Sequence, residues 1–284
     1  MERLGLRSNV NGHSEQGKQG FTLLELLIVL VVLAALAALI IPTLGYVKDQ
    51  ADAATTAHGA QEALNNLEIY KASVGHYPNR MDTLVNTDGA YYTKVYGTSS
   101  DAFPYGTVGT GSSAYYYLIN GGGITQVANH NEAATDPNNS SVAATLGSTT
   151  NFCIIDPLNA QPFYESAARK IVLACYPNQA DPANPVVPAN HQLIAMGIGS
   201  INSAVGATMT TAPLCPEKSA IDPAEYDRYI AVFDVSPGGG TGRGSVKLKV
   251  VLDSQYKLAA TNLEYYKASK PTDDAGTPPP PSTP

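Results

Sequence analysis

The sequence predicts an α+β fold: a long N-terminal α-helix packed on an antiparallel β-sheet domain. Three observations predict it. The chain carries an uninterrupted apolar run, FTLLELLIVLVVLAALAALII, from Phe21 to Ile41. Beyond it Ala53, Ala57, Ala60, Leu64 and Leu67 step by four and three, the spacing of one helical stripe. The C-terminal half then holds short β-type segments, the clearest being YDRYIAVFDV (226–235) and SVKLKVVL (245–252).

Taken in order, residues 1–20 form a polar, basic leader with Arg3, Arg7 and Lys18. Residues 21–41 match the ~20 residues that a helix needs to cross a ~30 Å hydrocarbon core. A secretory signal peptide has a shorter apolar core and a small-residue cleavage site behind it, and Pro42 and Gly45 do not make one. A plain membrane anchor fits the length but does not explain Glu25 near its start.

Pro42 removes one backbone donor, so the helix is expected to continue with a kink there. Residues 42–73 form the amphipathic half, with Asp49, Asp52, Gln61, Glu62 and Lys71 off the apolar stripe. The helix should end near Ser73, because Gly75 and Pro78 follow. From Thr22 to Ser73 it would span ~75–80 Å. A head domain over 74–270 should cover the second half's stripe.

Within the head, residues 86–150 read as a loop-rich insert with GTGSS and NGGG breaks, and AYYYLI (114–119) as a short strand. NFCII (151–155), RKIVLACY (169–176) and HQLIAMGI (191–198) read as short strands or buried segments. Val246, Leu248 and Val250 alternate with Lys247 and Lys249, a half-buried strand joined to its neighbour as a hairpin through SPGGGTGRG. The tail 271–284, PTDDAGTPPPPSTP, is Pro-rich and reads as disordered. NLEIYKAS (66–73) recurs as NLEYYKAS (262–269), too short an echo to make a domain repeat.

Composition excludes several function classes. Only 14% of residues are charged and the net charge is -7, so no basic stripe exists for a nucleic-acid backbone. There are 17 tyrosines and no tryptophan, a composition suited to an exported surface. No G-x-S-x-G, H-E-x-x-H or C-x-x-C occurs. The glycines of GGGTGRG lack the Lys-Ser/Thr of a phosphate loop and lie between two strands. His13, His58, His76, His130 and His191 are scattered, and no metal site is expected. The reading is therefore non-enzymatic.

The three cysteines, Cys153, Cys175 and Cys215, allow one disulfide. Spacing leaves the pair open and three buried thiols are the alternative. Cys175–Cys215 is the expected pair, since an exported domain with long loops gains from a staple.

The informative string is Lys18-Gln19-Gly20-Phe21-Thr22-Leu23-Leu24-Glu25. A basic leader ends in Gly, an apolar run follows, and one Glu stands at the fifth residue after that Gly. This resembles the processing site of type IV prepilins and of the pseudopilins of type II secretion systems. The resemblance covers residues 18–45 and implies cleavage between Gly20 and Phe21 by prepilin peptidase. It also implies N-methylation of Phe21, and Pro42 stands where the family often kinks its helix. A Glu within a bilayer costs ~2.5 kcal/mol or more and usually has a partner. No basic residue lies between Phe21 and Val47, so the partner is expected from outside the segment. The resemblance implies the Phe21 amine of a neighbouring subunit, setting axial register. The alternative is a Glu that snorkels to water.

IYKASVGHYPNRMDTLVN (69–86) is similar to the post-helix region of such proteins, with Gly75, Tyr77, Pro78 and Leu84 matching. The resemblance also raises calcium, which major pseudopilins bind in a C-terminal loop. Asp222, Asp227, Asp234 and Asp253 are the oxygen donors available, without forming a spaced acidic loop. No other cofactor is implied.

The expected function is structural: a subunit of a type IV pilus-like filament, held in the bacterial inner membrane as a prepilin, then polymerised through its N-terminal helix. Its partners would be further copies of itself, prepilin peptidase and the inner-membrane assembly machinery. The runner-up is a pseudopilin in a periplasmic pseudopilus that drives protein export. A minor adhesive pilin and a membrane-tethered binding module are further alternatives.

Overall fold

The computed structural model describes residues 22–85, 87, 106–110, 114–128, 143–155, 165–181, 185–216, 226–237, 244–254 and 258. The chain divides into two compact units, Met1–Val47 and Lys48–Pro284.

Helix α1 is Leu23–Val74 and runs unbroken through Pro42. Within the first unit its described apolar side chains, among them Leu23, Leu27, Ile28, Leu30 and Leu33, are exposed. It ends one residue beyond Ser73. Gly75 takes a φ of 91°, and its N–H donates to the Lys71 carbonyl at 2.8 Å. That left-handed residue past the last turn is a conformation glycine adopts without steric cost.

The second unit is built on an eight-stranded sheet. Its strands are β1 (Met81–Asp82), β2 (Gly106–Thr110), β3 (Gln126–Ala128), β4 (Ala143–Thr145), β5 (Asn151–Ile155), β6 (Gln192–Gly197), β7 (Ile230–Ser236) and β8 (Ser245–Leu252). The spine is β8–β7–β6, antiparallel throughout, with Ile194 opposite Phe233 and Asp234 opposite Lys247. The other edge of β6 takes two strands end to end: β5 at Ala195 and Ile194, and β1 at Gly197. β5 carries β2, while β1 carries β3 in parallel and β3 carries β4. The expected antiparallel sheet thus holds one parallel pair. The α+β arrangement of an N-terminal helix followed by a sheet is as expected.

Both faces of the spine are covered, which is why β6 and β7 read as nearly continuous apolar runs. Successive strand residues point to opposite faces. Ile194, Met196, Ala231, Phe233 and Val235 pack with Ala60, Ala63, Leu67 and Tyr70 of α1 and with Leu118 of helix α2 (Ala114–Gly122). Leu193, Ala195, Ile230 and Val232 pack with Ile171, Val172 and Cys175 of helix α3 (Glu165–Cys175).

Two segments differ from the sequence reading. AYYYLI is helical, because Ala114, Leu118 and Gly122, four apart, are the residues it buries. Tyrosine's β-propensity imitates a strand there, while the burial period is that of a helix. RKIVLAC is also helical, its buried Ile171, Val172 and Cys175 standing at i, i+1 and i+4. The stretch 86–150, expected as loop, contributes β2, α2, β3 and β4. The SPGGGTGRG linker, between Pro237 and Gly244, and the tail 271–284 lie outside the described residues.

Glycines let the layers approach. A Cβ on Gly59 of α1 would stand 2.3 Å from the Tyr229 hydroxyl oxygen, which donates to the Thr56 carbonyl at 3.1 Å. On β6 and just past it, Gly197 and Gly199 leave room for the buried Tyr226 and Asp82, whose side chains hydrogen-bond at 2.9 Å. Burial, with the Asp82 carboxylate beside it, pushes the Tyr226 hydroxyl well above its ordinary range, so the phenol keeps its proton and donates.

Candidate assembly and processing site

The first turn of α1 is closed by its own side chains. Glu25 Oε2 accepts from the Thr22 backbone N–H at 2.9 Å and from the Thr22 hydroxyl at 3.0 Å. The Glu25 N–H donates to Thr22 Oγ1 at 3.3 Å. This is a capping box: the residue before the helix and the residue three further on satisfy each other's free backbone donors. The carboxylate also lies at the positive end of the helix dipole, which favours its charge.

Glu25 thus has a local hydrogen-bonding partner besides the cation expected from outside the segment. Thr22, inside the run, supplies two donors. They are neutral, so they hold the carboxylate without neutralising it. The sequence signal was present, since T-L-L-E has the capping-box spacing.

Gly20 and Phe21, the expected processing residues, lie outside the described residues, as does the leader. Among the described residues no helix is long and apolar enough to cross a membrane, and the described side chains of the apolar run end at Ala38.

The far end of α1 is fastened by Tyr77 of the G-x-Y-P turn. Its hydroxyl donates to Glu68 Oε1 at 2.9 Å and accepts from Lys71 Nζ at 2.9 Å and from the Leu248 N–H at 2.8 Å. One donor and two acceptor sites are thus filled, the full capacity of a phenol. The Lys71 ammonium also sits 4.1 Å above the Tyr77 ring, which packs edge-to-face with Phe233 at a centroid separation of 5.1 Å. Sequence reading placed Tyr77 in a turn but missed this role.

A second polar cluster forms where β8 bulges. Val232 pairs with Val250 and Phe233 with Leu248, leaving Lys249 as the extra residue. Its ammonium donates to the Cys175 carbonyl at 3.1 Å, capping α3. It also lies 3.6 Å from Asp234 Oδ2 and 4.7 Å over the Tyr176 ring. Asp234 Oδ1 meets His191 Nδ1 at 2.7 Å.

The expected Cys175–Cys215 disulfide is not formed, and none of the three cysteines is disulfide-bonded. Cys175 is buried in the α3 face of the sheet beside Cys153, and Cys215 in the α1 face. The sheet separates the two thiols that were expected to join. Burial pushes the Cys175 thiol up to about 12, the Lys249 ammonium opposing and the Asp234 carboxylate adding to the rise.

Nor are the aspartates considered for calcium brought together. Asp234 is engaged by His191 and Lys249, Asp227 lies 3.9 Å from Arg228 Nε, and Asp253 is buried past β8. Asp222 lies outside the described residues. Among the described residues no group of three or more His, Cys, Asp or Glu could hold a metal ion.

Residues 16–41 match the family described as the prokaryotic N-terminal methylation motif. The motif is the hallmark of type IV pilins and pseudopilins, and here it stands at the head of an α+β protein with a long N-terminal helix. The N-terminal segment of the chain is thus similar to that of type IV pilins and pseudopilins, and the motif implies processing by prepilin peptidase. The motif implies inner-membrane insertion, methylation and assembly into an extracellular or periplasmic filament. No curated protein and no solved structure matches the chain.

Proposed function

We propose that the chain is a structural, non-catalytic subunit of a type IV pilus-like filament. The observation that carries this reading is the N-terminal stretch of α1. It exposes apolar side chains along its length, Leu23 at 84% and Leu33 still at 55%, with one carboxylate in its first turn. Such a surface is unstable in water and is satisfied by lipid or by like helices.

In this reading, cleavage between Gly20 and Phe21 frees the Phe21 amine, which is then methylated. Glu25 is already held at the first turn by Thr22, and a neighbour's amine supplies the cation that Thr22 cannot. Burial of α1 against like helices contributes ~25 cal/mol per Å² removed from water. The head is large and its loops are rich in Tyr, Gly and Ser, which suits the outer coat of a surface filament.

The test is electron microscopy of cells expressing the chain, with mass spectrometry of sheared filaments. Surface filaments made mainly of a chain beginning at Phe21 support the proposal. Loss of protein export without loss of surface filaments, on deletion, would assign it to a secretion pseudopilus instead.

A further inference from the structure

The half of α1 that packs on the sheet leaves one face uncovered. Lys48, Ala51, Thr55, His58 and Glu62 are exposed along it. Among the described residues from Lys48 to Val74, the exposed Lys, Arg, Asp and Glu residues are Lys48 and Glu62 alone. They stand about 21 Å apart along the helix axis and within about 40° of each other around it. Neither side chain has an ion-pair or hydrogen-bond partner among the described residues.

Glu62 also lines a cleft of about 250 Å³ between α1 and the segment 208–213. The Thr208 hydroxyl donates to the Asn66 carbonyl at 3.0 Å and fastens that segment to the helix. The lining combines the Glu62 carboxylate, the Asn66 amide and the hydroxyls of Thr208 and Thr210 with the buried Ala63 and Met209. No basic and no aromatic residue is among the lining residues. A lysine finds there what it needs: apolar atoms beside its stem and acceptors for its three N–H donors. An anion would find no cation, and a sugar no ring to stack on.

We propose that Lys48 of one copy docks in the Glu62 cleft of a second copy of this chain, displaced along the α1 axis by about 21 Å. The docking rests on the filament reading, in which all copies carry α1 pointing the same way. Parallel copies without displacement set Lys48 against Lys48 and Glu62 against Glu62, so like charges oppose. The displaced register sets opposite charges together, and charge pairing of this kind fixes register more than it adds affinity. Two different patches on each copy make a head-to-tail contact, which propagates into a filament instead of closing.

The test uses the full-length chain in cells lacking the unaltered one. Lys48→Glu and Glu62→Lys should each lower sheared-filament yield about tenfold, and the two together should restore it. Both positions are exposed, so cleavage and the urea midpoint should stay at parental values in all three variants. Zero-length carbodiimide coupling of parental filaments should join Lys48 to Glu62 in a ladder of multimers. Within one chain the two are about 21 Å apart, too far for such a link. Parental filaments without this crosslink, or normal filament yield from both single variants, would overturn the docking and leave the filament reading standing. A crosslinked dimer as the end product would mean a closed antiparallel pair and would also overturn it. Absence of filaments from the parental chain would overturn the filament reading and the docking with it.

Discussion

Thr22 and Glu25 hold each other: the carboxylate takes the Thr22 N–H and hydroxyl, and the Thr22 oxygen takes the Glu25 N–H. The Glu25 side chain is thus set in one place before any neighbour arrives. A pre-positioned carboxylate loses less conformational freedom on pairing than a free one. Thr22→Val keeps the shape and deletes the hydroxyl, at ~1 kcal/mol for a lost cap. It should leave cleavage intact and lower filament yield, while Thr22→Ser should restore the yield. Sheared-filament yield per cleaved subunit is the measurement, and equal yields from Val and Ser would remove Thr22 from the argument.

Glu25→Val deletes the charge itself. Insertion should be unchanged or improved, because a polar residue leaves the apolar run. Cleavage should persist, because Gly20 is untouched. Filaments should be few, because an incoming subunit loses its electrostatic guide. Cell fractionation, intact mass and electron microscopy read the three steps separately, in cells lacking the unaltered chain. Normal filament yield would show the carboxylate to be merely tolerated.

Gly59 sets the distance between α1 and the sheet. An added methyl would meet Tyr229 Oη at 2.3 Å and its ring carbon at 2.9 Å. Gly59→Ala gains helix propensity but overpacks a full interface, a net loss of ~1–3 kcal/mol. Tyr229→Phe in the same chain removes the nearer atom and should recover part of the loss. Urea midpoints of the single and double variants check this. A Gly59→Ala chain more stable than the parent would mean that the helix shifts freely.

The sequence made the long helix, its end before Gly75 and the strands β7 and β8 legible through their period or stop signals, while β5 and β6 read only as short strands or buried segments. α2 and α3 were not legible, since Tyr115–Tyr117 and Ile171–Val172 carry β-type residues through a helical burial pattern. Their helicity comes from the sheet faces they cover, which no local window contains. Within the candidate site, the Glu25 charge was legible and its Thr22 partner was written in the T-L-L-E spacing. The bonding role of the Tyr77 hydroxyl was not legible. The hydroxyl is answered by Leu248, 171 residues away. The cysteines failed for a like reason: Cys175 ends α3 and Cys215 lies between β6 and β7, so the face of the sheet that each packs on is set by tertiary packing that no local window contains.

That placement gives the cysteines a testable chemistry. Cys175 lies on the α3 face among Ile171, Val172, Leu193 and Ala195, with the Lys249 ammonium bonded to its carbonyl. Its thiol rises from an ordinary value of 9.0 to about 12 through burial, against the pull of Lys249. The thiolate is the reactive form, so iodoacetamide at pH 8 should leave Cys175 unlabelled in the folded chain and label it fully in denaturant. The same shift sets a sign for stability. Between pH 9.0 and about 12 the folded thiol keeps a proton that the unfolded thiol releases. Stability from this group is therefore complete below pH 9.0 and is lost as pH rises toward about 12. Cys175→Ala should lower stability at pH 7 through the small cavity it leaves and flatten the decline between pH 8 and 10.5. Urea unfolding at three pH values separates the two effects. A decline equally steep in parent and variant would assign the alkaline loss to other groups. A Cys175–Cys215 disulfide found by non-reducing peptide mapping would overturn the assignment of the two thiols to opposite faces.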